Sequence, residues 1–211
     1  MKFDEFLKIY KAAPLIDSST FGFHEKPQDL RRQVRGWVEK GYLFSLKRGI
    51  YIFGPQYRKS ESLPMFVANF LVNPSYISME YALGLYDLIP ERVTVVTSVT
   101  TKKTRSFTNC VGRFDYQSVK KELFWGFQVR EYSGCKVFIA LPEKALADYF
   151  YLNGQVQPEL DYFSASMRLQ NEDTLDLKSL EAYKNKYDKR TSRILETVIK
   201  YCRKQNKKPK V

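Results

Sequence analysis

Between Pro27 and Gly54 the chain reads PQDLRRQVRGWVEKGYLFSLKRGIYIFG, and the spacing of its apolar residues changes there from helical to alternating. Leu30, Val34, Trp37 and Val38 recur at i, i+4, i+7 and i+8, which makes one apolar stripe of a helix, with Pro27 suited to its first turn and Gly41 to its end. Gln28, Arg32, Arg35 and Glu39 take the opposite face, with Arg31 at its edge. One side packs and the other is offered to solvent or to a ligand. YLFSL and IYIF then alternate as short strands, and Lys47, Arg48 and Gly49 between them fit a hairpin whose glycine takes the positive-φ position.

Upstream, Phe3, Phe6, Leu7 and Tyr10 predict a first helix that ends before Pro14. Asp17, Ser18 and Ser19 are suited to cap a second one, which the following FGF keeps short. Helix, short helix, basic helix and basic-tipped hairpin is the order of a winged helix-turn-helix, in which the third helix enters the major groove and the wing reaches the neighbouring phosphates. On that reading Arg32 and Arg35 are aimed at base edges, where a guanidinium pairs with guanine, and Gln28 suits adenine. Arg31 flanks them, and Lys47 and Arg48, with Gly49, supply phosphate contacts. The competing reading is a solvated helix face and a turn kept polar because it is exposed.

Charge favours an anionic partner. The 211 residues carry a net +12, with 12 basic against 6 acidic residues in 1–60, 10 against 9 in 61–150, and 13 against 8 in 151–211. The middle is nearly neutral and the excess lies at the ends, a balance that suits nucleic acid or a membrane surface without choosing between them. No apolar run approaches the length of a membrane span, and MKFDEFLKIYK has acids inside an amphipathic helix, so a cytoplasmic protein is expected. Cys110, Cys135 and Cys202 are odd in number and lack a C-x-x-C spacing, which predicts reduced thiols rather than disulfides or zinc. His24, the single histidine, reads as a loop residue. The chain has no D-x-D, no Gly-rich phosphate loop and no H-E-x-x-H, so an enzyme is the weaker reading and no metal or cofactor is expected.

GPQYRKSESLP reads as a connector, dividing the chain into an N-terminal part over 1–59, a second part over 60–204 and a basic, disordered tail over 205–211. In the second part SMEYALGLYDL reads as a helix, and RVTVVTSV, RFDYQSV, FQVREY and KVFIA as strands, with Ser133-Gly134 turning the last pair. LPEKALADYFYL reads as a helix with Ala145, Leu146, Tyr149 and Phe150 inward, and Glu143 at the positive end of its dipole. That account of Glu143, Lys144 and Asp148 is structural rather than catalytic. Helices follow in ELDYFSASMRL, LDLKSLEAYKNKY and KRTSRILETVIKYCRK. The fold class is therefore α+β: a winged helix-turn-helix, then a small mixed sheet with C-terminal helices. Lys102, Lys103 and Arg105 in TTKKTRS mark either an exposed connection or a surface for an anion or a partner.

KRGIYIF, then YISMEYALGLYDLIPERVTVVTS, GRFDYQSV and VFIALPEKALADYFYL, in that order over about residues 27–153, resemble the AbiEi-type antitoxins of bacterial toxin–antitoxin systems. The resemblance implies a DNA-binding N-terminal domain that represses its own operon and a C-terminal domain opposing a separately encoded nucleotidyltransferase-like toxin, in pairs associated with defence against phage. It places the reading helix at 27–40 and the wing tip at Lys47, Arg48 and Gly49. The alternatives are a stand-alone winged-helix regulator whose middle domain dimerises or binds a ligand, and a nucleic-acid-processing enzyme.

Overall fold

The computed structural model describes residues 1–58, 63–132, 134–154 and 159–206. The middle of the expected connector, Ser133 of the expected hairpin turn and residues 207–211 of the expected tail lie outside the described residues.

The chain forms a mixed α+β fold with two sheets. Helix α1 (Phe3–Tyr10) leads to a two-residue strand β1 (Ile16–Asp17), a 3-10 helix at Ser18–Phe23, helix α2 (Pro27–Glu39), and strands β2 (Leu43–Lys47) and β3 (Ile50–Phe53). The second expected helix is thus a 3-10 segment. Asp17 caps it by accepting from the Ser19 N–H at 2.8 Å, and Phe21 is its only buried residue, too little apolar surface to pack a longer helix. Helix α2 ends as its sequence dictates: Gly41 sits at φ +71°, its N–H reaches the Val38 carbonyl at 3.0 Å and the Tyr42 N–H reaches that of Trp37 at 2.9 Å. Only glycine takes that left-handed position without steric cost.

The three strands pair in the order β1-β3-β2, and this small sheet is buried on both faces. Ile16, Leu43 and Phe53 pack against Phe6, Phe21, Leu30, Val34 and Trp37 of the helical side. Leu15, Leu46, Ile50 and Ile52 belong to a different cluster, continuous with Met65, Tyr76, Val99 and Tyr116 of the second part. The register of β2 on β3 is interrupted between Ser45 and Lys47. Such a bulge reverses the alternation of side chains beyond it.

The second sheet has the order β6-β7-β5-β4-β9-β8, from β4 (Ser75–Ile77), β5 (Val96–Thr100), β6 (Arg105–Asn109), β7 (Gly112–Ser118), β8 (Phe127–Tyr132) and β9 (Cys135–Ala140). Pairs β4/β9 and β5/β7 are parallel and the rest antiparallel. Helices α3 (Pro64–Leu71), α4 (Met79–Leu85), α5 (Pro142–Leu152), α6 (Leu177–Lys184) and α7 (Lys189–Gln205) complete the core. α7 runs into the expected tail. ELDYFSASMRL holds only a short π-helical stretch at Tyr162–Ser166. Tyr116 ties α3 to the sheet by donating its hydroxyl to the Ala68 carbonyl at 2.7 Å.

Because one face of the small sheet belongs to the second core, a fragment starting near residue 60 loses the cover supplied by Leu46, Ile50 and Ile52. Ile52→Ala is expected to cost about 2–5 kcal/mol. Trp37 and Trp125 report on the two parts separately, so single-tryptophan variants carrying Ile52→Ala should lose fluorescence at one lowered denaturant midpoint. An unshifted midpoint at Trp125 would show that the two parts do not share that core.

Candidate functional site

Helix α2 and the β2–β3 hairpin enclose an open cleft of about 550 Å³. Arg31, Arg35 and Val38 line it from the helix, Ser45, Arg48, Gly49 and Tyr51 from the hairpin, and Ser18 from the 3-10 segment. Residues 31, 35 and 38 share one edge of a helix. Ser45 and Tyr51 are register partners and therefore share one face of the hairpin. The tip is held by a bond from the Ser18 N–H to the Gly49 carbonyl at 2.8 Å. Gly49 stands at φ +83°, a backbone conformation that favours glycine, and a Cβ there would lie 2.7 Å from the Ser18 hydroxyl oxygen, which would have to turn aside.

Three arginines line this cleft, and no carboxylate among the described residues lies within ion-pair distance of Arg31, Arg35 or Arg48. Arginine groups left unpaired, on elements fixed by a buried core, suit a planar anion such as phosphate or a base edge. Gln28 and Arg32 are exposed on α2 but do not line the cleft. The structure thus pairs Arg35 with Arg31, whereas the sequence pattern paired it with Arg32.

Lys47 is the clearest departure from the expected set. Simple alternation puts it on the face of Ser45, towards the cleft, but the bulge makes it the partner of Ile50, on the face that meets the second part. Its ammonium donates to the Leu71 carbonyl at the end of α3. Burial holds its pKa below the ordinary lysine value, helped by Lys102 and Arg105, while Asp17 opposes the shift. The structure therefore gives Lys47 a tie between the two parts in place of a free phosphate contact at the tip. Lys102, Lys103 and Arg105 are exposed; Lys102 and Arg105 lie near enough to act on Lys47 of the hairpin, and Asn109, at the other end of the same strand as Arg105, donates to the Leu46 carbonyl at 3.1 Å.

A second group of titratable side chains is closed to solvent. Lys144 and Asp148, one turn apart on α5, form an ion pair with no exposed side-chain surface. The Asp148 carboxylate also accepts from Tyr76 at 2.9 Å, Ser78 at 2.8 Å and Tyr187 at 3.3 Å. The Lys144 ammonium donates to the Tyr187 hydroxyl at 3.0 Å and lies 5.0 Å from the ring centre of Trp125 and 5.5 Å from that of Tyr76. Burial lowers the lysine pKa and raises the aspartate pKa, and their mutual attraction opposes both shifts. Glu143 stands in the first turn of α5, as expected, and also accepts from the Asp176 N–H at 2.8 Å ahead of α6. These groups join α5, β4 and the turn before α7. The sequence signal was a lysine and an aspartate at i, i+4 within an apolar helix, but nothing local named Tyr76, Ser78 or Tyr187.

Among the described residues no group of three or more His, Cys, Asp and Glu side chains is placed to hold a metal ion. The cysteines are free: Cys110 exposed, Cys135 half-buried and Cys202 buried. His24 follows the 3-10 segment, its Nε2 2.9 Å from the Tyr10 hydroxyl. Among the described residues no helix is long and apolar enough to cross a membrane. No protein-family model matches the chain, and no curated protein matches it.

Removing one member of the buried pair strands the other charge. Asp148→Leu or Lys144→Met alone should destabilise by about 3–5 kcal/mol, and the double variant should recover part of that loss. Denaturant unfolding measures this, and additive losses would show that the two charges do not compensate one another.

Burial also raises the phenol pKa values of Tyr76, Tyr116 and Tyr187 above the ordinary tyrosine range. A folded value above the unfolded one, about 10, gives stability that is full below about pH 10 and is lost as pH rises further. Ultraviolet titration should show a late tyrosinate fraction that appears together with loss of the far-UV dichroism. Complete titration while the dichroism stays native would contradict the burial of these phenols.

Proposed function

We propose that the N-terminal part is a winged helix-turn-helix that binds duplex DNA, with α2 as the reading helix and the β2–β3 hairpin as the wing. The observation that carries this reading is the cleft lined by Arg31, Arg35 and Arg48, none of which has a carboxylate within ion-pair distance among the described residues. The order of α1, a 3-10 turn, α2 and a basic hairpin supports it, as does the charge excess in residues 1–60. Arg35 and Arg31 then approach base edges and the adjoining backbone, and Arg48 meets phosphate across the groove. Gln28 lies about one turn before Arg31, and Arg32 beside it, on the same helix, both exposed outside the cleft.

The wider role follows from the resemblance over residues 27–153. The chain acts as a DNA-binding antitoxin in the cytoplasm. It represses its own operon and opposes a nucleotidyltransferase-like toxin, as a binding protein rather than an enzyme. The second part, with the exposed Lys102, Lys103 and Arg105, carries the opposition to the toxin.

Titration of labelled upstream DNA by fluorescence anisotropy at several salt concentrations tests the DNA half. Arg48→Ala should reduce the slope of log K against log salt by about 0.9, the value of one phosphate contact. Arg35→Ala should cost about 1–3 kcal/mol on the specific site and less on unrelated DNA, and Arg32→Ala should cost less than Arg31→Ala. Lys47→Ala should leave the slope unchanged and lower stability by about 1 kcal/mol instead. A parent slope near zero, or a slope untouched by Arg48→Ala, would refute the wing assignment. Growth with an induced toxin and the full chain co-expressed tests the second half, and persistent arrest would refute it.

A further inference from the structure

The two edges of the six-stranded sheet are treated differently. Edge strand β6 is covered by the N-terminal hairpin through the bond from Asn109 to Leu46. Edge strand β8 has no such cover among the described residues. It is paired with β9 in unbroken register from Phe127 opposite Ala140 to Tyr132 opposite Cys135, without a bulge or a proline. Val129 is 51% exposed and its cross-strand partner Phe138 is 42% exposed. An edge in regular register with exposed apolar side chains is the type of strand that pairs with another chain.

The direction of the free backbone groups is fixed by the neighbouring strand. Phe138 gives its own N–H and carbonyl to the side chain of Asn69, at 2.8 and 3.4 Å, on the side away from β8. Opposite Val129 it is therefore a non-hydrogen-bonded pair, so the N–H and C=O groups of Phe127, Val129 and Glu131 point out of the sheet. None of these groups has a partner among the described residues.

We infer that β8 is a self-association edge, where two copies of this chain pair β8 to β8 antiparallel about a two-fold axis at Val129 and join their sheets into one. The occupant is chosen by self-complementarity. With Val129 opposite its mate, Phe127 faces Glu131 and Gln128 faces Arg130, so all outward backbone groups pair and no like charges stand opposite. Moving the axis to residue 130 or 131 would face Arg130 with Arg130 or Glu131 with Glu131, an arrangement that destabilises a strand pair. The chosen register also places both copies of Val129 and Phe138 in one apolar patch on one face of the joined sheet.

Sedimentation equilibrium of the full chain without DNA should show monomer and dimer in exchange. Val129→Pro removes an N–H that the monomer does not use, and should weaken the dimer by about tenfold or more, through two lost hydrogen bonds. Val129→Lys, which keeps the backbone donor, should weaken it as well and serves if the proline variant loses its native dichroism. In a background carrying Cys110→Ser and Cys135→Ser, Val129→Cys should oxidise to a covalent dimer, because Cα atoms about 5.5 Å apart are within disulfide reach. Arg130→Cys, whose mate is Gln128, should not. A monomer at every concentration would overturn the proposal and leave the edge to a strand of a different protein. A dimer unaffected by both Val129 variants, or equal crosslinking at 129 and 130, would also overturn it.

Discussion

The three-stranded sheet of the N-terminal part is buried from both sides, and the geometry of the arginine cleft depends on that burial. A two-stranded hairpin is marginal in water and would not hold Arg48 at a fixed distance from α2. Here Leu43 and Phe53 lock it to the aromatic core around Phe6 and Trp37, while Leu46, Ile50 and Ile52 lock it to the second part. Polar ties at Lys47 with Leu71, Asn109 with Leu46 and Ser18 with Gly49 then fix its rotation and its tip. On the proposed reading, in which the cleft meets an anion, such rigidity favours binding, because less side-chain and loop entropy is lost.

That shared sheet changes the meaning of the boundary near residue 60. The charge minimum in the middle of the chain and the polar connector describe two chemical characters, one basic and one near neutral. Packing does not follow them, since one face of the first part completes the core of the second. Lys102 and Arg105 of the second part come close enough to depress the pKa of Lys47. The cations of the two parts thus form neighbouring surfaces rather than separate ones.

In the second part, specificity rests on polar groups that a hydrophobic core does not require. The Lys144–Asp148 pair is costly to bury, and its geometry is fixed by Tyr76 and Ser78 at β4 and by Tyr187 before α7. Gly126 shows how closely this cluster is packed: at φ +73°, it would bring a Cβ to 3.0 Å from the Lys144 side chain. Because the two charges lie on one helix, a misplaced α5 would keep them beside each other but would strip away the hydroxyl partners Tyr76, Ser78 and Tyr187, a costly state for buried charges.

Local chemistry alone fixed much of the order of elements. The i, i+4, i+7 stripe of α2, the Gly41 terminator, the hairpin around Gly49 and the strands FQVREY and KVFIA were all legible, because each depends on periodicity or on a backbone conformation that one residue type favours. Helix α3 was not: PMFVANFL is apolar on nearly every side and shows no period to read. Short β4 and polar β6 were equally silent, since a strand of three residues, or one at an edge, is defined by its neighbours. Arg31, Arg35 and Arg48, which line the cleft, were all named from sequence, but the position of Arg32 outside it and the turn of Lys47 away from it were not legible. Those two outcomes turn on a single bulge and on which edge of α2 faces the hairpin. A bulge is a compromise between two cores that compete for alternate side chains of one strand, and only the assembled tertiary structure contains both.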